Sequence, residues 1–557
     1  MSEFTGNNEI IKNAFIQFIN LAESTHPLPP TPVSTPPKLT RQDATIIETI
    51  DVDLCDIFDP PFRQHFGILK IKLNDTPITK QPQLIKFTVD MSGSMQDMCG
   101  DGRTKMQHSN HITINILRLA AESESKEGTE IWIQVDAFDD HIETIIEPQR
   151  VTPEKLPDLI AKINGIYPRN STNIELALND SNTKIAQFLE LHPNFSVTHI
   201  FTTDGQSNVG VTDDTQLTEL VCPLYSNIFI GLGLDHSAST LSAFSTKKHA
   251  CYYFIDKIEN GGLVFGEVIH GILYQALTDI VIEVSNAEIY DYKTNQWSEK
   301  LTIDSLTGEA EKTYHLRTRE TDNVDDVEAR IVGTRTQTQT PTHLAWVYNV
   351  PALECDDGTV TPPLEVMSKY VFRQRTQELL YEAKQNGTRL DIRGLKSKLK
   401  NFLSLMKSYM EKNSLTEDPT FQSLNDDIVI VLQTLGTSYQ TMYTSARINS
   451  NGREQSYNVG APRVRNHGRG PHFRRQMAFD DGSQFQDTAD EDEQMQEFNL
   501  MSRVPLSRTH TTPRQIALMR SCSEGTQATE ILDLQNPEDE DQDQPDDFDL
   551  LKTQKQA

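Results

Sequence analysis

Three short stretches of the chain end in oxygen. "FTVDMSGSM" (87–95) carries Asp90, Ser92 and Ser94 at alternate positions, "NSTNIELAL" (170–178) sets Thr172 just ahead of an apolar periodic run, and "IFTTDG" (200–205) closes on Thr202, Thr203 and Asp204. Residues two apart in an extended or turning segment project to the same side, so D-x-S-x-S can aim three side chains at one point. Together, Asp90, Ser92, Ser94, Thr172 and Asp204 offer two carboxylates and three hydroxyls, with no imidazole or thiolate. Such an all-oxygen set selects a hard divalent cation, and few protein ligands completed by water suit Mg²⁺, or Mn²⁺ in its place. The bland alternative for any one of these stretches is a hydroxyl-rich turn with a solvated acid.

The elements around them decide whether the oxygens meet. Strands are expected at Leu84–Val89, Ile131–Phe138, Val197–Thr202, Asn227–Leu232 and Cys251–Ile255. Helical patterns fall between and after them, at Met106–Ala121, Pro153–Ile163, Ile174–Leu191, Ala238–Phe244 and Gly261–Leu277. Apolar strands alternating with helices predict an α/β unit, a doubly wound, mainly parallel sheet covered on both faces. Ligands in such sheets bind at the carboxyl ends of the strands, where all three stretches lie.

The rest of the chain divides by pattern. Residues 1–45 are expected to be a disordered, proline-rich segment, and 46–80 to supply strands that pack with a β-sandwich at 278–350, so that the α/β unit at 81–277 is inserted into it. Residues 362–445 are helical. Leu395, Leu399, Phe402 and Met406 share one face, as do Phe421, Leu424, Ile428 and Leu432, and an ordinary bundle core explains both seams. Residues 446–557 run from a basic block with Arg463, Arg465, Arg469, Arg474 and Arg475 into acidic blocks, and are expected to be a disordered charged tail.

"DMSGSM", "STNIELAL" and "IFTTDG" resemble the three parts of the metal-ion-dependent adhesion site (MIDAS) of von Willebrand factor type A (VWA) domains. The resemblance covers about residues 81–277. It implies that Ser92, Ser94 and Thr172 touch the metal, that Asp90 and Asp204 hold it largely through water, and that an acidic side chain of a protein partner completes the coordination. The insertion "QDMCGDGRT" departs from a compact example of the motif. Its Asp97 and Asp101 are more simply read as exposed acids than as a second cation site. The region from "NAEIYDYKTNQWSEKLTIDSL" to "KYVFRQRTQELLYEAK" is similar to a group of intracellular VWA proteins, some of which carry a Hint or RING domain. Neither is expected here: the six cysteines include no CxxC pair for a RING zinc, and no splice-type Cys stands with a terminal His-Asn pair.

Composition narrows the classes further. A net charge of −29 argues against duplex nucleic acid or an anionic membrane as the main partner. The scattered cysteines and a polar start, without a basic and then apolar leader, fit a cytoplasmic, intracellular protein, in which the Asn170 sequon is silent. The leading expectation is a binding module and not an enzyme. A metal-assisted hydrolase would need a positioned base, for which His108 and His111 are the nearest candidates. RNA binding through "RVRNHGRGPHFRR" is the other alternative. Hydroxyls in "RTHTTPRQ" and "RSCSEG" lie beside arginine or proline, a setting that suits phosphorylation.

Overall fold

The structure is a computed structural model, and it describes residues 11–20, 57, 65–74, 81–98, 103–204, 207–233, 236–255, 261–318, 324–336, 341–348, 364–385, 392–454, 512, 514, 515 and 518. Residues 1–10 and 21–45 of the proline-rich segment and most of the charged tail lie outside them.

The α/β unit is a six-stranded sheet. Its strands are β3 (Gln83–Asp90), β4 (Ile131–Phe138), β5 (Ile142–Arg150), β6 (Ser196–Thr203), β7 (Ser226–Leu232) and β8 (Ala250–Ile255), in the order β5-β4-β3-β6-β7-β8. All neighbours are parallel except β5, which returns antiparallel along β4. Every residue of β3 is buried, as expected for a central strand covered on both faces. One face packs on α1 (Lys105–Glu127), α2 (Leu156–Asn164) and α6 (Gly261–Leu273). The other packs on α3 (Ile174–Leu191), α4 (Asp214–Glu219) and α5 (Ala238–Phe244). From β3 the chain leaves to β4 on one side and later returns to β6 on the other. The crevice between the carboxyl ends of β3 and β6 is therefore the switch point at which doubly wound sheets place ligands.

Two smaller sheets face each other. β1 (Ile11–Asn20), β2 (His65–Leu73), β13 (Glu311–Arg317), β10 (Glu288–Asp291) and β11 (Gln296–Ser298) form one. The other contains β12 (Lys300–Thr307), β9 (Gln275–Ser285), β14 (Glu328–Arg335) and β15 (Pro341–Tyr348). Leu69, Ile71 and Leu316 of the first meet Ile280, Ile282 and Ile331 of the second in a single core. β2 precedes the α/β unit in sequence and pairs with β13 beyond it, so the unit is inserted into the sandwich. Helices α7 (Leu364–Gln385), α8 (Ile392–Lys412), α9 (Pro419–Thr434) and α10 (Gln440–Gly452) bury both expected seams and pack on the sheet flank, where Phe254 meets Tyr443 at 5.3 Å.

The structure corrects four boundaries. Residues 11–20, expected to be disordered, form β1 because β2 offers them a pairing edge. The helix expected through Leu277 stops at Leu273, and β9 takes over at Gln275 because two strands flank it and satisfy its backbone. Residues 446–452, assigned to the tail, complete α10. Its buried face is largely polar, with Thr444, Ser445, Arg447 and Ser450 inside and Arg447 donating to Asp427 at 3.3 Å, so apolar periodicity does not mark it. Thr512 and Gln515, also assigned to the tail, are buried. Among the described residues no helix is long and apolar enough to cross a membrane.

Candidate metal centre

β3 ends at Asp90, and the chain then turns through a short 3-10 segment, Gly93–Gln96, pinned by the buried Met95. This turn carries Ser92 and Ser94 back over the strand end. The Ser92 backbone N–H donates to Asp90 Oδ1 at 2.7 Å, and the Thr203 hydroxyl donates to Asp90 Oδ2 at 2.6 Å. Ser92 Oγ and Ser94 Oγ lie 3.2 Å apart, and Ser94 donates to Asp204 Oδ1 at 2.9 Å. Asp90, Ser92, Ser94 and Asp204 thus form one connected cluster at the β3–β6 crevice.

Thr172 stands on the loop before α3, and its backbone is fixed by the segment that follows Asp204. Its N–H donates to Asn208 Oδ1 at 2.8 Å, and its carbonyl accepts from Asn208 N at 3.0 Å and Val209 N at 3.2 Å. Gly210 adopts φ +75°, and a Cβ there would lie 2.7 Å from Asn173 Oδ1, so the turn requires glycine. On its other side the Thr172 loop is tied to β3, with Arg169 N–H donating to Met91 O at 2.6 Å and Gly93 N–H to Asn170 O at 3.1 Å. Asp139, just past β4, braces the loop by accepting from Arg169 Nε at 3.0 Å and Asn170 Nδ2 at 2.9 Å. Asp139, Asp140 and His141 have metal-compatible spacing, but the Asp139 carboxylate is committed to these bonds and to the His141 N–H. The Asn170 amide is engaged by both Asp139 and Asp140.

Sequence reasoning missed the cation already present. Thr104 caps α1 through a reciprocal pair with Gln107, which sets Lys105 at the first helical position. From there the Lys105 ammonium donates to Asp204 Oδ2 at 2.6 Å. The T-x-x-Q spacing was the available signal. Asp97 is largely exposed, 3.7 Å from Lys105, while Asp101 lies outside the described residues. His111 is on α1 and bonds Asn115 at 3.0 Å.

Burial governs the electrostatics. Asp90 is fully buried, and burial together with the nearby Asp204 carboxylate pushes its pKa up to about 6, against the opposing hydrogen bonds from Thr203 and Ser92. The charged form is therefore held under strain that a cation between the acids would relieve. The donor set also fits one. Adjacent ligands of an octahedral Mg²⁺ at about 2.1 Å stand about 3 Å apart, which matches the Ser92–Ser94 separation of 3.2 Å, and Asp204 stands behind Ser94 at 2.9 Å. Although it stands on a loop, Thr172 is only 2% exposed, with the backbone of Asn208 and Val209 bonded across it. The open side of the cluster is at Gly93 and the half-buried Ser94.

No family model and no curated protein matches the sequence. Among solved structures, the chain is similar to a von Willebrand factor type A protein from Catenulispora acidiphila (12% identity, 65% of this chain and 85% of that one, TM-score 0.45). It is similar also to the ArnB paralog VWA2 from Sulfolobus acidocaldarius (12% identity, 70% and 93% covered, TM-score 0.42). A third, the conserved hypothetical protein BatB from Bacteroides thetaiotaomicron, is 11% identical over 34% of this chain and 97% of that one, with a TM-score of 0.27.

Proposed function

We propose that the chain is a metal-dependent protein-binding module and not an enzyme. In this account Ser92, Ser94 and Thr172 coordinate one Mg²⁺, or Mn²⁺, directly, and Asp90 and Asp204 orient its water ligands. The observation that supports the reading most is the convergence of two buried carboxylates with serine hydroxyls at the switch point, in a geometry that places like charges together. A divalent ion whose direct protein ligands are neutral hydroxyls keeps much of its charge, and an Asp or Glu of a protein partner can complete its coordination from the Gly93–Ser94 side. The chain's own residues have three tasks. Thr203 and the Ser92 N–H fix the Asp90 rotamer, the Asn208 clamp fixes Thr172, and Lys105 neutralises Asp204 until the ion enters.

The test is capture of partners by the full-length chain with and without chelator, comparing wild type with Asp90→Ala. Partners retained by wild type should be lost on chelation and absent with Asp90→Ala. A partner set unchanged by both treatments would move the binding surface away from this site.

A further inference from the structure

A cavity of about 530 Å³ lies at the far end of the α/β sheet from the metal centre, between α6, the sandwich and the end of α10. Gln83, which opens β3, is on its wall, and Asp90 closes that strand. At about 3.3 Å per residue the two ends stand roughly 23 Å apart. The volume is that of a small-molecule site, and much of the wall is apolar or aromatic. Tyr253 comes from β8, Leu301, Ile303 and Leu306 from β12, and Tyr314 from β13.

Lys312 is out of place in that wall. Along β13, Lys312, Tyr314 and Leu316 alternate onto one face, and Leu316 belongs to the sandwich core. A strand serving the core alone would carry an apolar residue at 312. The Lys312 ammonium donates to the Arg453 carbonyl, just past α10, which uses one of its three N–H groups. Among the described residues the other two find no acceptor, and no carboxylate pairs with the ammonium.

The charges around it cancel without it. Arg373 is ion-paired with Glu454, and Arg453, stacked 4.4 Å from the centre of the Tyr253 ring, faces Glu267 at 3.6 Å. On the rest of the wall, Asp304 is paired with Lys293 at 2.9 Å and Asp279 with Lys248 at 2.6 Å. Asp291 accepts from the Lys293 N–H and the Thr294 hydroxyl within its own turn. Lys312 is therefore the surplus positive charge of the interior. Burial holds its pKa below the ordinary lysine range, against the fields of Glu454 and Glu267. A buried cation without a counter-ion destabilises the fold, and an anion in the cavity would reverse that.

We propose that this cavity binds a small organic anion, a single carboxylate on an apolar body, with the carboxylate on Lys312 and the body along β12. One negative charge matches the surplus of one. A phosphate dianion would bring a second negative charge against Glu267. The charge-assisted hydrogen bonds from Lys312 fix the carboxylate, and Leu301, Ile303 and Leu306 take the body out of water. Binding here needs no divalent ion and is independent of the metal centre.

Equilibrium dialysis of the full-length chain in excess chelator tests this, with decanoate and 3-phenylpropanoate as probes. Wild type should bind at least one of the two acids, one molecule per chain. The matching alcohols, 1-decanol and 3-phenylpropanol, should bind at least about tenfold more weakly. Lys312→Gln keeps a donor for the Arg453 carbonyl and should weaken acid binding at least about tenfold, while Lys312→Arg should stay within about threefold of wild type. Hydrogen exchange on wild type needs no variant: the bound acid should slow amides at 312–314 and 450–454 and leave 92–96 unchanged. Binding of neither acid at about 1 mM would overturn the proposal, as would equal binding of acid and alcohol. So would unchanged affinity in Lys312→Gln, or slowed exchange confined to other segments. Tighter binding of inorganic phosphate than of either acid would overturn the carboxylate class.

Discussion

Asp90 and Asp136 lie on neighbouring strands of one sheet, both fully buried, and the chain treats them in opposite ways. Asp136 stands in register with Thr88, two residues before Asp90. Burial pushes its pKa up, but Lys86, hydrogen-bonded to it on β3, and Lys184, at 2.9 Å on α3, outweigh that and hold it below the ordinary range. Burial likewise pushes Asp90 up, and there the next largest influence is a second acid, Asp204. One carboxylate is answered twice by the protein's own cations. The other is answered by hydroxyls, an amide and a further carboxylate. A buried acid with its own counter-charges serves the fold, whereas one left facing another acid at a strand end is available to an ion from solution.

The largest test of that contrast is Asp136→Ala. It leaves Lys86 buried against an empty partner position and should cost about 3–5 kcal/mol in denaturant unfolding, without altering Mg²⁺ affinity. A loss no greater than that of Asp90→Ala in metal-free protein would erase the distinction.

Next in size is the gain from metal. With free Mg²⁺ at a hundred times Kd, wild type should gain about 2.7 kcal/mol of unfolding free energy. Asp90→Asn should gain none, while its metal-free stability stays within about 1 kcal/mol of wild type, because the substitution removes a buried charge that faces Asp204.

Acid should expose the interior's dependence on neutral partners. His199 bonds Thr88 at 3.0 Å and Asn227 at 3.1 Å, and burial, with Lys86 nearby, lowers its pKa to about 3. Such a histidine stays neutral in the fold but charges in the unfolded chain. Its contribution is therefore complete above about pH 6.5 and lost as pH falls from there toward 3. At pH 5 the loss should approach about 2 kcal/mol, and His199→Gln should flatten that limb of the stability profile.

The smallest effect is expected at Lys105. Lys105→Met removes the ammonium that competes for Asp204 and should tighten Mg²⁺ by about tenfold, roughly 1.4 kcal/mol, as read from the shift in the binding isotherm. Weaker binding would mean that Lys105 supports the occupied site.

Asp90, Ser92, Ser94 and Asp204, which the structure brings together, could be picked out in the sequence because they stand where strands end, and local pattern marks those places. What surrounds them was hidden, since it depends on contacts between distant segments. Thr203 is an ordinary strand residue until Asp90 is placed beside it, and Asn208 is a loop polar residue until it meets Thr172. Lys105 carries no local mark of the acid it meets, since Asp204 stands 99 residues further along the chain. β5 was not anticipated because it is a half-exposed edge strand with a proline at Pro148, so neither continuous apolarity nor clean alternation identifies it. The polar buried face of α10 likewise carries no apolar periodicity. Lys86 gave the opposite lesson. Buried inside the strand "LIKFTV", it needs a counter-charge, and only the fold shows that Asp136 supplies it.

The most direct measurement is a calorimetric Mg²⁺ titration of the full-length chain beside its Asp90→Asn and Asp204→Asn variants, with Asp136→Asn as the internal contrast. Wild type should bind one ion per chain, Asp136→Asn should bind it with unchanged affinity if folded at the assay temperature, and the Asp90 and Asp204 variants should bind none. Equal affinity in wild type and both of those variants would contradict the assignment of the β3–β6 crevice as a metal centre.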